Sequence, residues 1–547
     1  MGIIKAAFTV GAFILLSRIV GFLRECVMVF TLEVGMYTDA LLVALRLSNT
    51  FRRIFAEGAF NASFLPRFSK ILHVDGEKKS LGNGLHNRSG ATAEAMDNSS
   101  ESGSLLSPHK VLVDVFSALV WTTTIFCLGV LIFFPAVVRI FVSGFDVLGE
   151  KFRLTVLLGR ISFPYLIFIS LASLFGGVLN CLNKFALPSA TQSIMSLCTM
   201  AALLVGYFYE LPSLVTVKLV TVFVLLSGIL QSYILYISLR KYGFRVSLKL
   251  RCWSEPVRDI MKNMIPGIIA VGVWQLNVLV DTTVASFLPT GTITYISLAD
   301  RLNQFPLGTL GVALSTALLP TLSQYIGKKD YDHANKELER GIFFALFLTF
   351  LATVILVALD KSTVAVAFQR GLFQQEQVKI TADALVGFAV GLPAFVLTKI
   401  FSSLYFATGN TKTPVIFGTC SVAVNIISLI ILVPFKKHFG LALCTSISAF
   451  VNATLLMGFV PKNIHLKLSK AFWAKISSQL CAAAVAYGGA VYLANTFWSG
   501  ELGNKSLKWL IYSGFICAVS IIFFTTTVVC LKLFGQSEWK LWKKHAW

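Results

Sequence analysis

Hydrophobic positions in this chain fall into long, nearly unbroken runs, not the short alternations of a water-soluble core. Fourteen runs of about 20 residues, the length that crosses a bilayer, centre on 5–30, 37–65, 111–141, 154–181, 187–208, 212–238, 262–288, 293–322, 341–368, 381–407, 413–434, 439–460, 472–497 and 508–533. Only helices satisfy their own backbone hydrogen bonds in lipid, apart from closed barrels. The pattern therefore predicts an all-α polytopic membrane protein with about 14 transmembrane helices. The first run holds Arg18 and Arg24 and lacks a small-residue cleavage site, so it reads as a spanning helix and not as a signal peptide.

Loop charge orients these helices. Arg240, Lys241, Arg245, Lys249, Arg251 and Arg258 fill the 239–261 loop, Lys462, Lys467 and Lys470 the loop before the thirteenth helix, and Lys540, Lys543 and Lys544 the tail. The loops at 31–36, 209–211 and 289–292 have no Lys or Arg. By the positive-inside rule both termini are expected in the cytoplasm; Lys436 and Lys437 are exceptions. Residues 74–108, rich in Gly, Ser and Asn without apolar periodicity, read as a disordered cytoplasmic linker.

The runs carry charges that lipid does not tolerate alone. Arg18 and Arg24 lie in the first; Asp39, Arg46, Arg52, Arg53 and Glu57 lie in the second. Asp39, Arg46 and Arg53 are seven apart in succession, which places them on one face of a regular helix. Buried charges in membranes face a partner or a watery cavity, and a cluster this basic suits an anionic ligand. Farther on stand Asp281, the Asp300–Arg301 pair and Lys399. Arg301 is expected to complete the basic set. Asp281 reads either as a monovalent-cation ligand with Asn425 and Thr445 or as a carboxylate bonded to Thr282 or Thr283.

Composition narrows the function. The 547 residues are 56% hydrophobic and 13% charged, with a formal net charge of +21. The basic residues sit in short loops and inside helices, so nucleic acid is not the expected partner. The ten cysteines show no CxxC spacing and lie mostly in apolar runs, as small buried hydrophobes do. No P-loop, HExxH, GxSxG or DxxD-like carboxylate cluster is present. The chain reads as a transporter and not as an enzyme, driven by an ion gradient, the membrane potential or its substrate gradient.

An internal repeat sets the domain plan. Residues 45–69 laid over 299–323 match Asn49 with Asn303, Phe51 with Phe305, Ala59 with Ala313, Leu65 with Leu319, Pro66 with Pro320 and Ser69 with Ser323, at a constant offset of 254. FPYLIFISLASLF at 163 and LPAFVLTKIFSSLYF at 392 echo each other as well. Two parallel six-helix lobes are expected, 1–240 and 241–461, followed by 462–547 with two further helices. In transporters built from repeats the substrate site lies near the membrane midplane.

SRIVGFLRE (17–25), TDALLVALRLSNTFRRIFAEGAFNASFLPRFS (38–69), FPYLIFISLASLFGGVLNCLNKFALP (163–188) and ADRLNQFPLGTLGVALSTALLPTLS (299–323) resemble the MurJ (MviN) lipid II flippases of the bacterial inner membrane, within the multidrug/oligosaccharidyl-lipid/polysaccharide exporter superfamily. The resemblance runs to about residue 460. It implies alternating access through a cationic central cavity, with the last two helices forming a lipid-tail groove, and it makes cell-wall synthesis proteins the expected partners. It matches Arg18, Arg24, Arg52 and Arg301 to the family's essential cavity arginines, and Asp39, Arg53 and Glu57 to supporting polar residues. Arg46 stands where many relatives carry Lys. Some members hold Na+ between helices 7, 11 and 12. Asp281 and Asn425 match two of those ligands, while Leu429 stands where a second acid is expected. Another lipid-linked oligosaccharide flippase or a drug/cation antiporter of the superfamily is the competing reading; a cation exporter would want acids, not arginines, in its cavity.

Because 74–108 is polar and lies outside every apolar run, deleting residues 76–106 should leave membrane insertion and transport intact. Complementation of a depleted strain checks this. A variant that inserts but fails to support growth contradicts the linker reading.

Overall fold

The computed structural model describes residues 3–55, 60, 63–72, 107–460, 470–497 and 505–533, which contain helices and no strand. Glu57, residues 74–106 of the expected linker and the basic tail lie outside them. Among the described residues nine helical stretches are long and apolar enough to cross a membrane, and described helix occupies at least part of each of the fourteen runs.

The first half comprises α1 (Ile3–Thr31), α2 (Met36–Arg52), α3 (63–72), α4 (Pro108–Ile132), α5 (Phe134–Phe141), α6 (Glu150–Ser162), α7 (Tyr165–Cys181), α8 (Ala186–Thr191), α9 (Ile194–Phe208) and α10 (Ser213–Lys241). The second comprises α11 (Glu255–Ser286), α12 (Thr292–Pro306), α13 (Val312–Gly327), α14 (Tyr331–Ala358), α15 (Asp360–Phe368), α16 (Gln375–Ala389), α17 (Leu392–Ala407) and α18 (Lys412–Gly458), followed by α19 (Lys470–Phe497) and α20 (Lys505–Leu533). Helix α18 holds both the eleventh and twelfth runs, divided by Lys437, whose φ of 45° and ψ of −121° lie outside the helical region.

The repeat is legible in the irregularities. A π-helical turn begins at Arg53 in the first half and at Leu307 in the second, at the offset of 254. Pro306 closes α12 just before the second of these turns; its missing N–H removes one i→i−4 bond and favours the wider winding. Both halves then carry a long helix with a short one behind it, α4–α5 and α14–α15. Each next has a helix broken midway, at Phe163–Pro164 between α6 and α7 and at Val390–Gly391 between α16 and α17. The offset from Phe163 to Leu392 is 229, shorter than 254 because the first copy alone carries the 74–108 insertion.

Two compact units result: Met1–Thr31 with Met36–Gln275, and Leu32–Gly35 with Leu276–Trp547. The division differs from the expected 240/241 boundary and falls inside α11. The reason is packing, since Phe244, Val246, Cys252, Val257, Ile260 and Met264 join the hydrophobic core of the first unit. Arg67 on α3 also pairs with Asp259 of α11 at 2.9 Å. In the same core Phe60, Phe64 and Phe68, spaced by four on one helix face, stack with centroids 5.2 and 5.0 Å apart.

In the second unit Tyr405 is buried, and its hydroxyl donates to the carbonyls of Leu456 and Phe459 at 3.1 and 2.7 Å. That bond satisfies the acceptors left open at the end of α18. Helices α19 and α20 pack on each other, with Ala482, Ala486 and Ala490 allowing close approach and Phe347 of α14 against Phe523.

Candidate functional site: intramembrane charges

Arg18 and Arg24 project from α1, which packs on α8 and α9. Arg24 is part-buried and ion-paired with Glu25, itself buried. Adjacent helical residues do not face one another, so the pair depends on the long arginine stem curling back toward its neighbour. The sequence did carry the signal: an acid beside an arginine within an apolar run.

Helix α2 packs on α6, α7 and α10. Ser48 and Ser162 share a buried hydrogen bond of 3.0 Å across the α2–α6 contact. Nine residues closer to the N-terminus of α2, Asp39 is wholly buried and accepts from Lys151 Nζ on α6 at 2.8 Å. The same ammonium lies 4.3 Å from the centroid of Phe145, a cation–π contact in a desolvated setting. Lys151 is a residue that sequence reasoning missed, because it lies in the first turn of α6, 112 residues away.

Along the expected stripe of Asp39, Arg46 and Arg53 exposure rises toward the C-terminal end of α2. Asp39 is buried against α6, Arg46 is half-buried and Arg53 is exposed. Helix α2 is regular as far as Arg52, and Arg53 opens the π turn, so the seven-residue spacing holds up to that position. Arg52 is half-buried at the last α-helical position.

In the second unit Arg301 is half-buried on α12, two turns before the π segment. Its neighbour Asp300 accepts from Gln304 Nε2 at 2.5 Å, an i,i+4 bond along the helix. Lys399 on α17 approaches that segment from the side; its Cδ would lie 3.2 Å from a Cβ placed on Gly311. A glycine there lets the lysine stem pass.

Asp281 sits on α11 beside Asn425 of α18. Asn425 Nδ2 donates to Asp281 Oδ1 at 2.8 Å and to Asn277 Oδ1 at 2.9 Å, while Asn425 Oδ1 is buried without a partner. Asn277 stands four residues before Asp281 and so on the same helix face, but spacing alone does not name Asn425 as their shared partner. Thr445 turns its hydroxyl to the Leu441 carbonyl at 3.4 Å, and Leu429 is buried. Among the described residues no cluster of three His, Cys, Asp or Glu side chains suits a metal ion.

With this geometry in place, comparison with known proteins is informative. The family model for lipid II flippase MurJ matches residues 28–513. The chain belongs to the MurJ family. A probable lipid II flippase MurJ of Rhizobium tropici is 32% identical over 507 residues, covering 92% of this chain and 90% of that protein. A probable lipid II flippase MurJ of Rickettsia prowazekii is 33% identical over 479 residues, 87% of each chain. A solved structure described as lipid II flippase MurJ in an inward closed conformation superposes with a TM-score of 0.74 at 23% identity, covering 95% of this chain and 99% of that one. The fold is thus the MurJ fold, and the chain is a multi-pass bacterial inner-membrane protein.

Within this MurJ-family protein the Asp39–Lys151 pair has a testable energetic signature. Leaving one buried charge unmatched costs about 3–5 kcal/mol, whereas replacing both partners by apolar groups is close to neutral. Asp39→Ala should therefore lower the melting temperature in detergent clearly, and Asp39→Leu with Lys151→Met should recover most of the loss. Equal destabilisation by the single and double variants would contradict a structural ion pair.

Proposed function

We propose that this protein flips the lipid-linked peptidoglycan precursor lipid II from the cytoplasmic to the periplasmic leaflet by alternating access, with both termini in the cytoplasm. One observation carries the reading: a chain of the lipid II flippase MurJ family holds half-buried arginines on α1, α2 and α12, within apolar runs. Lipid II presents a pyrophosphate between a bulky disaccharide-pentapeptide and a polyprenyl tail, and that diester cannot enter lipid bare. Guanidinium groups replace its water, and their planar fork meets phosphate oxygens two at a time.

Arg18, Arg24, Arg52 and Arg301 hold the pyrophosphate in this scheme. Glu25 neutralises Arg24 in the absence of substrate and keeps it positioned. Arg46, Arg53 and Glu57 support the site electrostatically. Helices α19 and α20 receive the polyprenyl tail, and cell-wall synthesis proteins supply or consume the lipid.

We further propose that Na+ is held by Asp281 and Asn277. The fit rests on the orphaned Asn425 Oδ1: rotating that amide by a half-turn would give the cation a third oxygen in place of the Nδ2 donor. The bound ion would tie α11 to α18 within the second unit.

Replacing Arg18, Arg24, Arg52 or Arg301 by Ala should reduce lipid II flipping by about tenfold or more, since each charged hydrogen bond contributes about 1.5–3 kcal/mol. Lys at the same positions should restore part of it, keeping charge without the fork. An accessibility assay for lipid II in the outer leaflet of a depleted strain measures this; normal complementation by the Ala variants would overturn the assignment. For the cation, Na+ should raise the melting temperature of the wild-type protein more than K+ does, in proportion to site occupancy. Asp281→Asn should abolish that difference, and its persistence would refute the site.

A further inference from the structure

Between α10 and α11 runs a non-helical segment, residues 243–254, reading GFRVSLKLRCWS. It does not extend into solvent as a loop of this composition would. It is strapped along α4: Lys249 N donates to Ser117 Oγ at 3.0 Å, and Trp121 Nε1 donates to the Lys249 carbonyl at 3.1 Å. Nearer the start of α4, Arg245 N donates to His109 Nε2 at 3.4 Å. Cys252 of the strap is buried, and Lys249 Nζ lies 3.9 Å from buried Asp114.

The face of α4 that the strap follows says where it lies. Asp114, Ser117, Trp121, Ile125, Leu128 and Ile132 are spaced by three and four residues and share one side of the helix. Its far half is apolar and uncovered, with Ile125 67% and Ile132 69% exposed, as lipid-facing side chains are. Its near half is polar and covered by the strap. Trp121 marks the boundary, the level at which tryptophan collects in membrane proteins. The strap therefore lies on the bilayer side of the first unit, at the water–lipid boundary.

Its outward side chains suit that level. Leu250 is 82% and Trp253 58% exposed, and Leu248 is exposed as well. Arg245, Lys249 and Arg251 alternate with them and are exposed. Among the described residues Arg245 and Arg251 belong to no ion pair. Apolar side chains that reach toward acyl chains, interleaved with cations at headgroup level, are the signature of binding to an anionic lipid surface.

We propose that the 243–254 strap is a binding site for anionic phospholipid headgroups, with Arg245 and Arg251 contacting phosphate and Leu248, Leu250 and Trp253 seated among the acyl chains. Since the strap leads directly into α11, such lipids would hold the start of that helix against the first unit. The inference rests on membrane embedding alone and is independent of which substrate is flipped.

The test uses the full-length protein in phosphatidylcholine nanodiscs containing a minor fraction of phosphatidylglycerol. Bromine-labelled acyl chains are placed on one lipid or the other, and the Trp253 fluorescence component is taken as wild type minus Trp253→Phe. Brominated phosphatidylglycerol should quench this component roughly twofold or more beyond brominated phosphatidylcholine at equal mole fraction, a preference that salt weakens. The variant Arg245→Gln/Arg251→Gln should lose the preference while keeping its melting temperature in pure phosphatidylcholine, since neither arginine belongs to an ion pair among the described residues. If that variant unfolds, the salt titration of the wild type decides alone. Equal quenching by both lipids would reduce the strap to ordinary bilayer contact and overturn the proposal. No quenching by either would mean that water or protein covers the face, which also overturns it.

Discussion

A charge placed inside hydrocarbon must be met by a partner, by water or by a ligand, and the described architecture follows from how each charge is met. Asp39 is met by Lys151, and Arg24 by Glu25. Asp281 accepts from Asn425 instead of facing lipid bare. Each of these acids is met within the protein. An acid-rich version of the same helices would select cations.

Backbone polarity imposes the second constraint. A helix that breaks within a membrane frees N–H and C=O groups, tolerated only where protein or water receives them. Here the breaks are not scattered. They recur as π turns at Arg53 and Leu307 and as interruptions after Ser162 and after Ala389. Arg52 and Arg53 border the first π turn, and Lys399 lies against Gly311 in the second. The irregular turns and the intramembrane charges thus occupy the same level of each repeat. Such duplicated irregularity is stronger testimony to a repeat than matched leucines, because apolar residues coincide easily by chance.

The 239–261 connection shows how local composition and tertiary placement divide the work. Its basic residues made it a polar loop by the loop-charge rule, and the lobe boundary followed from counting helices in sixes. Packing decided otherwise: Phe244, Val246 and Cys252 enter the first unit's core, and the strap binds α4 through Ser117 and Trp121. Those contacts span more than a hundred residues, beyond the reach of any periodicity.

Membrane residence, helical class, the repeat and the family were all determined by the sequence itself, because each rests on local quantities: run length, charge per run and motif identity. That Arg18, Arg24, Arg52 and Arg301 lie within apolar runs was legible for the same reason, since an arginine in such a run is conspicuous wherever it points. Three things waited for the tertiary structure. Asp39 proved to pair with Lys151, because α2 and α6 meet only once folded. Asn277 joined Asp281 and Asn425, because α11 and α18 meet only once folded. The boundary between units moved into α11, because a core recruits whatever apolar side chains reach it. Sequence spacing fixes which face of one helix a residue occupies; only packing fixes what stands opposite.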